Sequence, residues 1–193
     1  MKDQEVEIWH RFQKGDKKAF ETILETYYLP MFQYGSYIQP NSDQLYDEIH
    51  NLFLNLWERR SFLSPVENLK AYLFTALRNQ ILRSQRKVLK LSETRLDNTK
   101  HTAYCGSVED NIIGIEITKE KSKRVKIALN KLTKREKEAL HLRFFENYTN
   151  SQIATVLGIS EASVYNLVSK ALRNFRQNWL VYALLIPLLT LLK

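Results

Sequence analysis

Apolar positions recur at helical spacing in three stretches of the first half of the chain. The stretches run from Ala19 to Tyr37, from Leu45 to Trp57 and from Leu69 to Leu82, with apolar side chains three and four residues apart. This spacing places the apolar side chains on one face of each helix, so the three helices can share a core. Because 193 residues contain only five Gly and four Pro, a turn-rich β fold is disfavoured, and we expect an all-α protein.

The periodic pattern stops at Leu91 and returns near Ile115. The intervening residues are polar and poor in aliphatic side chains, which indicates a flexible connector. After Ile115 the pattern continues to Thr133, which is placed to cap a further helix with Glu136 as its capping-box partner. The chain is therefore predicted to contain two small helical domains, residues 1–90 and 115–178, joined by a linker of residues 91–114. An apolar C-terminal tail, residues 179–193, follows the second domain.

The stretch from Asn150 to Arg176 has the spacing of a helix, a tight turn and a second helix. Ala154 is small where two helices would cross, Gly158 follows where a left-handed turn is needed, and Val164 supplies a buried anchor. Ser160 can N-cap the second helix. This arrangement predicts a helix-turn-helix that enters a DNA major groove, and a helical hairpin with only a packing role is the alternative. The outer face of the second helix comprises Ser160, Glu161, Ala162, Ser163, Tyr165, Asn166, Ser169, Lys170 and Arg173.

A formal net charge of +8 and a pI near 9.5 suit a protein that binds a polyanion, and a second basic segment runs from Glu67 to Lys90. On a helix its basic and amide side chains share one surface: Arg78, Asn79, Arg83, Arg86, Lys87 and Lys90. The apolar positions lie on a different face: Leu69, Leu73, Leu77 and Ile81. Tyr72 and Phe74 could stack on unpaired bases, although we expect at least one of the two rings to be buried and regard Phe74 as the poorer stacking candidate.

The segment from Asp43 to Arg60 predicts a helix with a partly acidic polar face. Its polar positions are Asp47, His50, Asn51, Asn55 and Glu58. Since acidic groups repel DNA, this face is a candidate for docking a basic partner surface, and an ordinary solvated helix face is the alternative.

The sequence carries no signature of an enzyme. It lacks a glycine-rich phosphate loop, a nucleophile elbow and a paired His and carboxylate motif, and neither Cys105 nor His50 has companions at metal-ligand spacing. We therefore expect no cofactor, metal or small-molecule substrate. The first twenty residues contain no apolar export segment, which favours a cytoplasmic location. The tail from Trp179 is apolar but short for a membrane span and contains Pro187, so it could cover a core, contact a partner or lie on a membrane.

Taken in order, these segments resemble the extracytoplasmic-function group of bacterial sigma factors. The segment from Gly15 to Tyr34 is similar to that family's first conserved helix, and the segment from Asp47 to Trp57 to its polymerase-binding helix. The segment from Asn68 to Lys87 is similar to the part that captures and melts the −10 promoter element. The segment from Ala128 to Arg176 is similar to the domain that reads the −35 element.

The resemblance implies a promoter-specificity subunit that binds core RNA polymerase, promoter DNA and an anti-sigma factor, which in this family is often membrane-bound. It also implies that the loop from Arg60 to Asn68 forms a pocket for a flipped base. By resemblance, contacts to the −10 strand fall on Tyr72, Arg78, Asn79, Arg83, Arg86 and Lys87, and contacts to core polymerase fall on Asp47, His50, Asn51, Asn55 and Trp57.

The chain departs from the family pattern at several of these positions. The family usually has Trp at Tyr72 and often Asp at Arg83, so the preferred −10 sequence is expected to differ. Its usual Gln-Glu pair is replaced by His50 and Asn51, which removes one negative charge but leaves Asp47. In the reading helix, Ser163 and Lys170 stand where the family has Thr and Arg, so a point charge replaces a bidentate donor.

A stand-alone helix-turn-helix regulator is the alternative function. In that case the N-terminal domain would sense a ligand or dimerise, and the protein would bind a palindromic site without polymerase. The basic and aromatic segment from Asn68 to Lys90 would then have no assigned role.

Overall fold

A computed structural model describes the backbone of residues 2–94, 125 and 127–191, and the side chains of residues 4–89, 125 and 127–177. Within these ranges all regular structure is helical, which confirms the all-α prediction. The chain divides into two compact units, one built from the N-terminal helices and the other mainly from the C-terminal helices.

The first unit begins with a helix that the apolar pattern did not reveal. Helix α1 spans Lys2–Gln13 and buries Trp9 and Phe12, which lie one helical turn apart. Helix α2 spans Lys17–Gly35 and starts at Asp16, whose carboxylate accepts hydrogen bonds from the backbone N–H groups of Lys18 and Ala19. The Trp9 to Phe12 spacing was the available signal for α1, but two large residues are too few to establish a period.

Two longer helices complete this unit. Helix α3 spans Ser42–Arg59 and continues into a 3-10 turn at Arg60–Phe62, and helix α4 spans Leu69–Thr94. Helix α2 packs against α1, α3 and α4, and α1 also packs against the 3-10 turn and α4. The core of the unit therefore lies around α2 and α4, and α1 packs against the 3-10 turn, whose Ser61 and Phe62 stay exposed.

The predicted start of the linker at Leu91 is wrong. Helix α4 continues four residues further, to Thr94, because Leu91, Ser92 and Glu93 extend the helix without a Gly or Pro to end it. The remainder of the predicted connector, from residue 95, lies outside the described residues, as does the predicted return of periodicity at Ile115.

The second unit contains residues 127–130 in helical conformation and three further helices: α5 at Lys134–Phe144, α6 at Asn150–Leu157 and α7 at Glu161–Leu191. Helices α5 and α7 pack together around Leu132, Leu140 and Ala171. The backbone of α7 remains helical through Trp179 and Pro187, so the predicted tail continues this helix. Among the residues that the structure describes, no helix is both long and apolar enough to cross a membrane.

Candidate nucleic-acid interface

Helix α4 separates its apolar and basic faces as its sequence predicted. The four apolar positions Leu69, Leu73, Leu77 and Ile81 are fully buried. The exposed positions are Asn79, Arg83, Arg86 and Lys87. Three guanidinium or ammonium groups are therefore available on one side of the helix to contact phosphates.

Arg78 does not belong to this exposed face, and its predicted surface position is wrong. Arg78 is only 8% exposed. Arg78 lies four residues after Phe74 and three before Ile81, and both of these side chains are buried, so the helical period turns Arg78 toward the core. The charge of Arg78 suggests a place among the basic side chains, whereas its helical register assigns it to the packed face.

The two aromatic side chains of α4 have different environments. Phe74 is fully buried and stacks on Tyr34 with ring centroids 5.0 Å apart, so it is not available to a base. Tyr72 is half-buried, and its ring meets the edge of Trp9 at a centroid distance of 5.4 Å. Burial raises the pKa of the Tyr72 phenol, opposed by the positive charge of Arg59. Tyr72 is therefore an uncharged ring, supported on one side, that retains an exposed part.

Tyr72 lines an open groove of about 320 Å³ between the end of α3, the loop after it and α4. Its other lining residues are Leu52, Asn55, Leu56, Arg59, Leu63, Ala76, Asn79, Gln80 and Arg83. No acidic residue is among them, and Arg59 and Arg83 contribute two positive charges. A groove with a ring, three side-chain amides and two guanidinium groups can hold an unpaired base and its phosphate.

Six of the lining residues were not among the predicted site residues: Leu52, Leu56, Arg59, Leu63, Ala76 and Gln80. Arg59 and Leu63 come from the end of α3 and the following loop, and Gln80 comes from α4. Gln80 is held in place because its Nε2 donates to the backbone oxygen of Glu48 at 2.6 Å and to the Glu48 carboxylate at 2.8 Å. Arg59 and Gln80 come together only after α3 and α4 have packed, so no local sequence signal joins them, whereas Leu63 lies in the loop that the resemblance assigned to a base pocket.

Four of the five residues predicted to contact polymerase lie on one exposed face of α3: Asp47, His50, Asn51 and Asn55. The fifth, Trp57, is half-buried: its ring centroid lies 5.0 Å from that of Phe20 and it receives the Arg60 guanidinium over its face at 4.4 Å. Trp57 therefore supports the aromatic core on one side and borders the exposed face on the other.

The reading unit of α6 and α7 has the local geometry that its sequence predicted. Gly158 ends α6 in the left-handed conformation, with φ 64° and ψ 43°, and Val164 is fully buried. The hydroxyl of Ser160 accepts a hydrogen bond from the backbone N–H of Ser163 at 3.2 Å, which confirms the predicted N-cap of α7. The capping box of Thr133 and Glu136 at α5 is also confirmed.

The outer face of α7 is exposed over its first four turns. Ser160, Glu161, Ala162, Ser163, Tyr165, Asn166, Lys170 and Arg173 are exposed, and Ser169 is half-buried. Tyr165 is 65% exposed, which is high for a large aromatic residue. The predicted reading residues therefore share one accessible helical face, as a helix that enters the major groove requires.

Glu136 ties this face to α5, a role that the sequence did not reveal beyond its capping function. Its side chain is buried; one carboxylate oxygen accepts from the Thr133 backbone N–H at 2.9 Å, and the other accepts from Asn174 Nδ2 at 2.9 Å. The Nζ of Lys170 lies 4.0 Å from the same carboxylate while its side chain stays 69% exposed. Lys170 is therefore positioned by Glu136 and is still accessible.

Comparison with known proteins finds relatives for the second unit by sequence. Residues 123–175 match the family of sigma-70 region 4. The RNA polymerase sigma-G factor of Clostridium acetobutylicum is 40% identical over 53 residues, which is 28% of this chain and 21% of that protein. The match thus spans about a fifth of this relative's length.

Solved structures match over both units. CnrH, in complex with the cytosolic domain of CnrY, has a TM-score of 0.58 at 14% identity and covers 93% of this chain and 97% of its own. The sigma factor RpoE, in complex with the anti-sigma factor NepR from Bartonella quintana, has a TM-score of 0.59 at 22% identity. The match covers 83% of this chain and 96% of the RpoE chain. Residues 123–175 therefore carry a sigma-70 region 4 sequence, and most of the chain shares the fold of CnrH and of the sigma factor RpoE.

Proposed function

We propose that the protein is an extracytoplasmic-function sigma factor that binds core RNA polymerase and directs it to promoters by recognising the −35 and −10 elements. The observation that carries the proposal is the groove beside the basic face of α4, free of acidic lining, in the same chain as a region 4 reading helix. A reading helix alone locates a duplex site but does not hold separated strands, and the groove offers that second capacity.

Recognition of the −35 element is assigned to the outer face of α7. Asn166 and Lys170 offer donors to base edges or phosphates, and Tyr165 offers a large ring at the same level of the helix. Arg173, one turn after Lys170, is suited to a phosphate contact that sets the register of the helix.

Capture of the −10 strand is assigned to the groove and the exposed face of α4. Tyr72 stacks on an unpaired base, Asn79 offers an amide to its edge, and Arg83, Arg86 and Lys87 contact the backbone phosphates. Stacking contributes about 1 to 3 kcal/mol per base, which offsets part of the few kcal/mol needed to extrude a base. Arg78 takes no direct part in this contact because it is buried.

The exposed face of α3 is assigned to core polymerase. Asp47 carries its negative charge, and His50, Asn51 and Asn55 contribute neutral polar groups. We assign residues 1–90 to polymerase binding and −10 recognition and residues 115–178 to −35 recognition. Since two linked weak contacts raise the effective concentration of each for its site, a linker between them favours simultaneous engagement of both elements.

We further propose that an anti-sigma factor regulates the protein, as the complexes of CnrH with CnrY and of RpoE with NepR suggest. The protein is assigned to the cytoplasm, and the apolar residues from Trp179 place it near a partner or the inner membrane. Removal of Trp179 to Lys193 should then reduce membrane fractionation or inhibition by the partner. No catalytic step is assigned to the chain itself.

The test is run-off transcription from a promoter library with purified bacterial core polymerase, with and without the protein, at stated salt. We expect new start sites that share two upstream elements. The variant Asp47→Lys should lose these starts while retaining −35 DNA binding, because the charge reversal affects only the polymerase contact. No new starts, together with tight palindrome binding by the protein alone, would instead support a stand-alone regulator.

A further inference from the structure

The loop between the 3-10 turn and α4 is held by hydrogen bonds from α1 to its backbone. The indole Nε1 of Trp9 donates to the backbone oxygen of Ser64 at 3.1 Å. One turn along α1, Nε2 of Gln13 donates to the backbone oxygen of Leu63. Two consecutive peptide carbonyls of the loop are therefore fixed by two side chains that lie 50 or more residues earlier in the chain.

Apolar packing by the loop's own side chains explains only part of this attachment, because Leu63 and Val66 are half-buried while the others from Phe62 to Pro65 are exposed. Phe62 is 84% exposed, and Ser64 and Pro65 are also exposed. An exposed loop of this kind would sample many backbone conformations if nothing held it. The donors of α1 reduce that freedom, and because they bind main-chain oxygens they act whatever the side chains of the loop are.

The same helix also supports the Tyr72 ring that lines the groove. Trp9 is buried and contacts Tyr72 edge to face, while its indole N–H holds Ser64. Leu63, whose carbonyl Gln13 holds, lines the groove together with Tyr72. Trp9 and Gln13 thus connect two walls of one groove, although neither residue lines it.

We propose that Trp9 and Gln13 are positioning residues that set the shape of the groove before the promoter strand enters it. The inference rests on the proposed function, because it assigns the groove to an unpaired base of the −10 element. A preformed pocket loses less conformational freedom on binding and discriminates better between bases than one that must be assembled around each base. Helix α1 would therefore govern the accuracy of −10 recognition without touching DNA.

The first arm of the test measures the loop directly. A nitroxide label is placed at the exposed position 64 through Ser64→Cys in a Cys105→Ser background, and its mobility is measured in the full-length protein. We expect the variants Gln13→Met and Trp9→Phe to increase label mobility, because Met keeps the length of Gln and Phe keeps an aromatic ring, while both remove the donor. His10→Gln, on the exposed side of α1, is the matched control and should leave mobility unchanged. Equal mobility in all four proteins would overturn the proposal.

The second arm measures base discrimination by the holoenzyme, without the label. The promoter is one that the library experiment selects, and initiation is compared between its −10 element and versions with single base changes. We expect Gln13→Met to lower this discrimination about fivefold, the effect of losing one ordinary hydrogen bond. On a template that is already unpaired across the −10 element, the Gln13→Met holoenzyme should initiate at a rate close to that of the wild type. A merely destabilised protein would instead lose activity on every template by the same factor.

The outcomes separate this inference from the function on which it rests. If the wild-type holoenzyme initiates at no promoter, the proposed function fails and the inference fails with it. If the wild type initiates and Gln13→Met keeps full discrimination although its loop is more mobile, only the positioning role is overturned. Trp9→Phe gives a second, independent measurement of discrimination, because the indole N–H that it removes binds the neighbouring peptide carbonyl, that of Ser64.

Discussion

The α4 groove and the α6–α7 reading unit are built by contacts of different range. The groove depends on hydrogen bonds between distant positions: Trp9 to Ser64, Gln13 to Leu63 and Gln80 to Glu48, with separations of 55, 50 and 32 residues. The reading unit depends on caps three residues apart, in which the hydroxyls of Thr149 and Ser160 accept from the backbone N–H groups of Gln152 and Ser163. The groove exists only after the helices have packed, whereas the reading unit is largely specified by residues within each short segment.

This difference has a consequence for specificity in the two proposed DNA contacts. A helix fixed by its own caps presents its side chains in a constant register, so its base preference changes chiefly through the side chains themselves. A groove formed by α3, the following loop and α4, and held by hydrogen bonds from α1, changes shape whenever any of these segments shifts. Residues far from the groove, in α1 and α2, can therefore alter −10 recognition, whereas few distant residues should alter −35 recognition.

The largest expected effect comes from removing a core ring that supports the groove. Phe74→Ala deletes a fully buried side chain stacked on Tyr34 and should destabilise the first unit by about 3 to 5 kcal/mol. The measurement is urea unfolding combined with hydrogen exchange resolved by segment. Protection should fall in α2 to α4 and persist in α5 and α6.

The matched control is Phe62→Ala, which deletes the same ring from an 84% exposed position in the same unit. It should change the unfolding free energy by no more than about 0.5 kcal/mol. A comparable loss for both variants, or a loss of protection in α6 as large as that in α4, would contradict the view that the two surfaces have separate supports.

The range of contacts also determined what could be predicted from the sequence. The Gly158 turn, the Ser160 cap and the capping box of Thr133 were predicted because their partners lie within a few residues. The groove residues Arg59 and Gln80 were not, because they meet only when α3 packs against α4. Helix α1 was missed because Trp9 and Phe12 are too few to establish a period, and Arg78 was misplaced because its charge was given more weight than its helical register. Glu136 shows both cases in one side chain: its cap was predicted, and its bond to Asn174, 38 residues away, was not.

A smaller effect is expected when a local signal of the reading unit is removed. Gly158 has φ of 64°, and a Cβ added there would meet nothing within 4 Å. Gly158→Ala should therefore cost only the strain of a left-handed conformation, about 1 to 2 kcal/mol. Thermal unfolding and binding of −35 duplex DNA would both weaken, while the mobility of a label at position 64 should not change.

Gly158→Asn is the control for this variant, because Asn adopts left-handed conformations more readily than Ala. It should retain most of the stability and DNA binding that Gly158→Ala loses. If Asn and Ala were equally harmful, crowding rather than backbone strain would be responsible, and the separation between local and long-range supports would be weaker than proposed.

The smallest effect is expected at the local cap of α2 in the first unit. It shows whether this cap contributes to stability in the same way as the caps of the reading unit. The two hydrogen bonds that Arg11 donates to Asp16, at 2.6 and 2.8 Å, lower the pKa of the Asp16 carboxyl. Desolvation is the second-largest effect and opposes this lowering, while the backbone N–H groups of Ala19 and Lys18 add to it. Because the folded pKa lies below the unfolded value of about 3.9, the ionised carboxylate stabilises the fold above that pH. This stabilisation should disappear as the pH falls through the lower, folded pKa.

The measurement is the melting temperature of wild type minus that of Asp16→Asn between about pH 6 and pH 2, where both side chains can cap the helix but only Asp titrates. The difference should shrink toward low pH, and Arg11→Gln should shrink it at neutral pH by removing the main cause of the pKa shift. A difference that stays constant with pH would mean that the Arg11–Asp16 pair adds nothing beyond the neutral cap. Helix α2 would then start by the same uncharged, local mechanism as α6, and only the long-range bonds would distinguish the two units.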